Sequence, residues 1–395
     1  MNPIFAERTK NVHRSFIREI LKVTGDPEII SFAGGLPNPE SFPVREIAAA
    51  AAKVLAESGT DALQYSTTEG HLPLRQWIAD RYRQRFGMKV NPNEILITNG
   101  SQQGLDLIAK VFLNEGDKVL LESPSYLGMI QAFSMFQPEY VTVQLEEDGP
   151  DLAQMKQLLN QHSIKLFYAI PNFQNPSGVS YSLAKRKGLA DLINQNQLIM
   201  VEDDPYGELR FLGEDLPPVH QFINKNAILL GTFSKVVSPG MRMGWIYAPE
   251  EIMEKLITLK QGTDLHSNYF TQCILHQFLI DNDLEPHIAK IKDLYGRQRK
   301  KMVEMIQQYF PEEVQFTKPE GGMFLWVTLP EGFSALELFE TAIREKVAFV
   351  PGDAFYVSRK GVNTMRLNFS NSDETKIEVG IKRLGMAIKK KLTEK

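Results

Sequence analysis

Residues 229–245 read LLGTFSKVVSPGMRMGW. The apolar run 227–230 leads in with strand character, and Pro239-Gly240 breaks any helix after Lys235. Lys235 is therefore predicted in a loop just past a strand end, which in an open parallel sheet is where ligands bind. Thr232, Ser234 and Ser238 flank it, and Arg242 follows seven positions on. A lysine held among hydroxyls beside a second cation loses its proton readily and is a candidate nucleophile toward a carbonyl. Taken alone, the stretch fits a solvated loop lysine beside a surface arginine equally well.

Outward from this loop the chain alternates strand and helix. Strand patterns over 94–98, 118–121, 139–143, 164–169, 198–201 and 227–230 are separated by helical ones from about 103, then over 127–136, 151–160 and 183–195. That alternation predicts an α/β fold with a mostly parallel sheet covered by helices on both faces. Long helices follow over 250–261, 269–281 and 285–309. The last third changes to strands over 313–317, 323–329, 347–351 and 364–369, with helices over 335–345 and 374–390, an α+β pattern. At the other end, Phe16, Ile17, Ile20 and Leu21 space a short amphipathic helix over 15–23, and helices are expected over 43–57 and 72–86. A chain of 395 residues exceeds what one core usually fills. The expected division is an N-terminal helix and loop over 1–45 joining the small domain, a large ligand-binding domain over 46–290, and a small α+β domain over 291–395.

Composition narrows the function. Hydrophobic content of 43% with 23% charged residues is an ordinary globular balance. A formal net charge of -4 provides no basic field for nucleic acid and no membrane-seeking patch. Cys273 is the only cysteine, so neither an intrachain disulfide nor a cysteine-based metal site can form, and no metal is expected. The amino terminus lacks a signal-peptide core, and no run of about 18 apolar residues is present. The expectation is a soluble, unprocessed, cytoplasmic protein.

Other strand ends carry polar residues in unusual numbers. Asn99-Gly100-Ser101-Gln102 follows one strand and opens a helix, whose amino terminus offers free N–H groups and a favourable dipole to phosphate. Its spacing is neither a dinucleotide fingerprint nor a Walker loop. Residues 169–178, AIPNFQNPSG, fix a loop with two X-Pro steps and present Asn175 as a donor. Glu202-Asp203-Asp204-Pro205-Tyr206 places three acids after a buried strand, costly without a cation nearby; a solvated turn is the competing reading. Glu122-Ser123-Pro124-Ser125-Tyr126 brings an aromatic ring to the same edge, and Gly34-Gly35 is either a plain connector or a close backbone approach to a ligand. Together these types fit one ligand. A phosphate needs N–H groups, hydroxyls and a cation; a pyridine ring needs an aromatic to stack on and an acid for its nitrogen; an aldehyde needs an amine. Gly100, Ser101 and Gln102 with Arg242, then Tyr126, Asp203 and Lys235, describe a pyridoxal phosphate site.

The ordered motifs ISFAGGLPNPESFP, LQYSTTEGHLPLR, ITNGSQQGLDL, PNFQNPSG, EDDPY, GTFSKVVSPGMRMGW and MRLNFS cover nearly the whole chain. They resemble the fold-type I, class I aminotransferases that use pyridoxal phosphate, within which the chain is similar to the subgroup of 2-aminoadipate, kynurenine and some aromatic or branched-chain enzymes. The resemblance implies the fold type I transferase architecture, a seven-stranded-type sheet with a smaller α+β domain. It also implies roles. Lys235 would hold the cofactor covalently and shuttle the substrate Cα proton; Asp203 would pair with the ring nitrogen; Asn175 and Tyr206 would bond the ring's phenolate oxygen. Tyr126 would stack on the ring, and Gly100, Ser101, Gln102, Ser234 and Arg242, with Thr232 adjoining, would hold the phosphate. Arg366 would clamp the substrate α-carboxylate with its two-pronged guanidinium, with Gly35 and Asn175 beside it. Core packing for Tyr126 and structural ion pairing for Arg366 are the competing readings.

In such enzymes the tyrosine matching Tyr65 reaches the phosphate of the neighbouring subunit, which implies a homodimer with shared sites. Arg18, on the amino-terminal helix, would meet an acidic substrate side chain. The implied activity is ping-pong transfer of the α-amino group of an L-amino acid to a 2-oxo acid. Glutamate and 2-oxoglutarate form one expected pair, with 2-aminoadipate, an aromatic or a branched-chain amino acid in the other. A β-lyase using the same lysine and acid is one alternative. Another is a non-catalytic effector-sensing domain of a transcription regulator, although only about 30 residues precede ISFAGG, too few for a winged helix.

Overall fold

The computed structural model describes residues 5–6, 8–9, 20, 26–357 and 362–393. The helix expected over 15–23, and Arg18 on it, lies outside the described residues except for Ile20.

The strands in chain order are β1 (Ile30–Ser31), β2 (Ile95–Thr98), β3 (Lys118–Ser123), β4 (Glu139–Glu146), β5 (Gly149–Pro150), β6 (Ile164–Ala169), β7 (Ile199–Asp203), β8 (Ala227–Thr232), β9 (Gly244–Tyr247), β10 (Gln315–Phe316), β11 (Phe324–Thr328), β12 (Val347–Ala348), β13 (Val350–Pro351) and β14 (Thr364–Asn368). The main sheet runs β2-β9-β8-β7-β6-β3-β4-β5. The pairs from β8 through β7, β6 and β3 to β4 are parallel, as runs of buried β-branched and aliphatic residues joined by helices dictate. β8 is buried at every position, and each large apolar side chain on it is worth about 1.5–3 kcal/mol.

β9 was not anticipated from the sequence. It pairs antiparallel with both β8 and β2, so two reversals return β2 to the direction of β8. The carboxyl ends of β2, β3, β6, β7 and β8 consequently share one edge of the sheet, and the polar loops that follow these strands start there. β5 adds a two-residue margin to the expected seven strands.

Helix limits follow local chemistry. The Ser101–Phe112 helix starts two residues earlier than expected because Gly100, at φ +76, turns the chain sharply into it. The Val44–Ala62 helix outruns its expected end and contains a non-helical Ser58. The Leu284–Tyr309 helix runs unbroken through residue 290 and packs along the Glu374–Thr393 helix.

A second, antiparallel sheet runs β10-β11-β14-β13. The run 347–351 splits into two strands: β13 pairs with β14, while β12 pairs in parallel with β1 and ties the amino-terminal segment to this sheet. Asn368 N–H donates to the Phe32 carbonyl at 2.8 Å, bringing the Gly34-Gly35 turn over the strand that carries Arg366. The site lies between this turn, β14 and the carboxyl edge of the main sheet.

Candidate active site

A cavity of about 260 Å³ opens at that edge. Gly35, Gly100, Ser101, Gln102, Tyr126, Asn175, Asp203, Tyr206, Ser234, Lys235, Arg242 and Arg366 all line it, as does Thr232. The expected residues from separate segments of the chain thus meet in one space. Tyr65 does not line it and is 79% exposed, its ring edge-on to His266 at 5.9 Å.

Lys235 follows β8 closely, and its Nζ donates to the Gly35 carbonyl at 3.1 Å. Burial, reinforced by Arg366 and Arg242, pushes its amine down to about 8. At pH 7 roughly a tenth of the amine is then uncharged, against less than about a thousandth at the ordinary lysine value, and the uncharged form is the nucleophile.

Asp203 closes β7. Burial raises its carboxyl to about 7; the Tyr168 hydroxyl, donating to Oδ2 at 2.9 Å, opposes that rise and Asp204 adds to it. Oδ1 is buried with no partner among the described residues. A buried carboxylate oxygen without a donor is costly, and a protonated ring nitrogen would satisfy it. Strand alternation separates the three acids: Asp203 faces the cavity side with Tyr168, while its neighbours face the other way. Glu202 accepts from the backbone N–H groups of Val219 at 3.0 Å and His220 at 2.7 Å, and Asp204 accepts from Asn172 Nδ2 at 3.0 Å and Gly207 N–H at 2.9 Å. Neighbouring donors thus settle the two flanking acids.

The phosphate-like corner is built where β2 and β8 end. The first N–H groups of the Ser101–Phe112 helix have no intrahelical partner. Arg242, at φ 54, lays its guanidinium over Gly100 and donates from Nη2 to the Asn99 carbonyl at 3.0 Å. A Cβ on Gly100 would sit 2.7 Å from Arg242 Nη2, so only glycine allows this approach. The Thr232 hydroxyl lies 2.9 Å from Ser234 Oγ and accepts from Ser234 N–H at 3.1 Å, which fixes the turn into Lys235.

Arg366 crosses from β14 and is fully enclosed. Nη1 donates to Asn175 Oδ1 at 2.8 Å, Nη2 to the Ala33 carbonyl at 2.9 Å, and Nε is buried without a partner among the described residues. Phe324 and Phe355 lie against the guanidinium, with centroids 4.1 and 5.0 Å from Cζ. Desolvation lowers the guanidinium to about 10, still a cation at neutral pH. The Tyr206 hydroxyl bonds the Asn175 side chain, and burial lifts the Tyr126 hydroxyl to about 12 and that of Tyr206 higher still, so both phenols stay protonated.

Sequence reasoning missed Phe324, Phe355 and Tyr168. Tyr168 had a usable signal: it is a phenol in an otherwise apolar strand interior that must find a partner when buried, and the pairing of Tyr168 with Val201 puts it on the face of Asp203. The two phenylalanines had none, since their contact with Arg366 depends on how β11 and the segment after β13 fold against β14.

Comparison with known proteins supplies the family context. The model of aminotransferase class I and II matches residues 28–384. Aromatic-amino-acid aminotransferase 1 of Thermococcus litoralis is 42% identical over 394 residues, covering 98% of this chain and 94% of that protein. The α-aminoadipate aminotransferase LysN of Thermus thermophilus, solved with N-(5'-phosphopyridoxyl)-L-leucine, shares 42% identity at a TM-score of 0.93, covering 99% of this chain and 98% of that one. The kynurenine aminotransferase of Pyrococcus horikoshii, solved in complex with PMP, shares 42% identity at a TM-score of 0.95 with 98% of each chain covered.

Proposed function

The chain belongs to the class I and II aminotransferase family and is a pyridoxal-phosphate-dependent transaminase; from that premise we propose how its cavity residues divide the work and which amino acids they serve. The observation that carries the assignment is the meeting, in one cavity, of a lysine amine lowered to about 8, a buried aspartate oxygen without a partner and an enclosed arginine.

The residues fit the cofactor. Asp203 Oδ1 lacks the donor that a ring N–H would provide, and the glycine-floored corner at Gly100 with Ser101, Gln102, Ser234 and Arg242 has the donors a phosphate requires. When bound, the cofactor supplies a carbonyl to take up the amino group and a ring to accept the electrons of the broken Cα–H bond. Asp203 would hold the ring nitrogen in its protonated form, and its carboxyl would be ionised beside that cation. Tyr168 holds Oδ2, leaving Oδ1 for the nitrogen. Asn175 and Tyr206 would donate to the ring oxygen, and Tyr126 would cover the ring face. Lys235 would hold the cofactor through Nζ and, as a free amine lowered by burial, would carry the proton from substrate Cα.

Arg366 receives the substrate α-carboxylate. Its unpartnered Nε and the pair of flanking rings make it a fixed fork, and Asn175 sets its plane from one side. The proposed substrates are L-glutamate and 2-oxoglutarate as one pair, with 2-aminoadipate, aromatic or branched-chain amino acids in the other. Support comes from the relatives, named for aromatic amino acids, α-aminoadipate and kynurenine. An amino-donor panel with 2-oxoglutarate tests it: glutamate should form from at least one of these classes, and no transfer from any of them would overturn the assignment.

A homodimer completes the proposal. Tyr65 is exposed beside His266, and Leu63, two residues before Tyr65, and Leu265, next to His266, are exposed as well, which suits a face that a second copy covers. A solution mass equal to a single 44.8 kDa chain would remove it.

A further inference from the structure

Behind the phosphate corner, outside the cavity, lies a buried charged cluster. Lys260, on the Glu250–Asp264 helix, is completely buried, and its Nζ donates to both carboxylate oxygens of Asp264 at 2.8 Å. The same amine is 3.1 Å from Gln103 Oε1 and 3.1 Å from Ser267 Oγ. Asp264 Oδ2 accepts in turn from Asn99 Nδ2 at 2.9 Å and Gln103 Nε2 at 2.6 Å, while Asn99 N–H donates to Gln103 Oε1 at 2.8 Å. Ser267 Oγ donates to the Ile97 carbonyl at 3.2 Å.

These bonds converge on residues 97–103, the turn from β2 into the Ser101–Phe112 helix. Asn99 is held at its amide nitrogen and its side chain, and its remaining backbone group, the carbonyl, receives Arg242 Nη2 at 3.0 Å. One ion pair, its lysine buried and its aspartate partly exposed, thereby links both the helix amino terminus and the Arg242 guanidinium. Such a pair gains little over apolar packing of the same volume, because desolvation offsets attraction, so its effect lies in where it directs its hydrogen bonds.

We propose that Lys260 and Asp264 are positioning residues for the phosphate corner: acting through Asn99 and Gln103, they set the mutual placement of the 101–102 N–H groups and Arg242. This rests on the reading of that corner as the phosphate subsite. Neither residue lines the cavity.

The test is to strip the full-length chain of cofactor and titrate it with pyridoxal phosphate and with pyridoxal, which lacks the phosphate. The ratio of the two dissociation constants isolates the phosphate contribution. In Asn99→Ala, which removes the loop's side-chain end of the clamp while leaving the ion pair intact, and in Lys260→Met/Asp264→Leu, which removes both charges together, pyridoxal phosphate affinity should fall about tenfold to a hundredfold. Pyridoxal affinity should change by less than about threefold, since the bonds lost are those that arrange the phosphate donors. A phosphate advantage retained in both variants, or a parallel loss for the two ligands as a general loosening of the fold would give, overturns the proposal. Wild-type protein that binds pyridoxal as tightly as pyridoxal phosphate would instead overturn the phosphate subsite itself, and the positioning role with it. Melting curves establish that the variants titrated are folded.

Discussion

Replacing Arg366 tests the substrate side of the site. In Arg366→Ala the α-carboxylate loses a two-pronged, charge-assisted contact, in which each hydrogen bond is worth about 1.5–3 kcal/mol. Two such bonds amount to about 3–6 kcal/mol, or roughly a 10²- to 10⁴-fold fall in kcat/KM. The substitution also strips the donors from Asn175 Oδ1 and the Ala33 carbonyl. Each buried acceptor left unpaired costs about 1–3 kcal/mol of stability. Part of that cost is recovered because a guanidinium already lowered to about 10 by desolvation is itself expensive to bury. Arg366→Lys retains the cation but neither the fork nor the stacking between Phe324 and Phe355, so it should fall between wild type and alanine. The assay is kcat/KM for L-glutamate with an excess 2-oxo acid, on enzyme whose cofactor content is matched by absorbance. The internal control is the primary amine that lacks the α-carboxylate, for which wild type and Arg366→Ala should be nearly equal. Alanine enzyme within tenfold of wild type on glutamate, or an equal loss on the amine, would refute the carboxylate role.

Lys235→Ala should lower kcat at least about 10²- to 10⁴-fold, the usual contribution of a general base, with further loss from the missing covalent hold; full steady-state turnover would exclude the assignment. Gly100→Ala forces a Cβ to 2.7 Å from Arg242 Nη2 at a φ of +76, so it should cost about 1–3 kcal/mol in melting experiments and speed cofactor loss on dialysis. Asp203→Asn should change how cofactor-free protein responds to pH. Because the folded-state carboxyl is raised from 3.8 to about 7, its contribution to stability is fully present below about pH 4 and is lost as pH rises through 7, by at most about 4 kcal/mol. Glu122 and Glu202, buried and also raised to about 7, titrate over the same window, so the Asn variant should flatten the decline in melting temperature between about pH 4 and pH 7 without abolishing it. Superimposable pH profiles would exclude the raised Asp203.

What could be read from the sequence follows from what each feature depends on. Periodicity located the strands that end at the site, because fully buried parallel strands read as apolar runs and the loops after them as polar breaks. β9 escaped because its four residues follow the glycine- and proline-containing lysine loop without a turn of their own, and its pairing with β2 is non-local. The residues that line the cavity could be picked out where chemistry is local, as for Lys235 among its hydroxyls and Gly100 before a helix, whereas the spacing of Asp203 to Tyr206 carried meaning only through the family resemblance. Alternation alone would also have separated Asp203 from Glu202 and Asp204, since adjacent strand residues face opposite ways. The Lys260–Asp264 pair was invisible for the opposite reason. An i, i+4 lysine and aspartate on a helix read as a solvated pair, and only the packing of that helix against the 97–103 turn buries the lysine and ties the aspartate to Asn99.

The electrostatics of the cofactor-free chain argue for the kind of ligand it takes. Burial pushes Lys235 down to about 8 and Asp203 up to about 7, so near neutral pH the cavity holds an amine and an acid that are both reluctant to be charged. Arg366, in contrast, remains a cation, and together with Arg242 it contributes to the fall of Lys235. A simple anion would satisfy the arginines, leave Asp203 Oδ1 unpaired and draw Lys235 back toward protonation. A simple cation would satisfy Asp203 and be repelled by the arginines. Only a ligand with separated charges, anionic groups toward Arg242 and Arg366 and a protonated nitrogen toward Asp203, relieves both ends while leaving the lysine free to react as an amine. The spacing of those charges is set by different strands: Asp203 by β7, Arg242 by the loop between β8 and β9, and Arg366 by β14 on the other sheet. On the proposed reading, selectivity for a phosphate-bearing pyridine would come from how the strands are ordered, and selectivity for an α-amino acid from the second sheet, which carries Arg366 across.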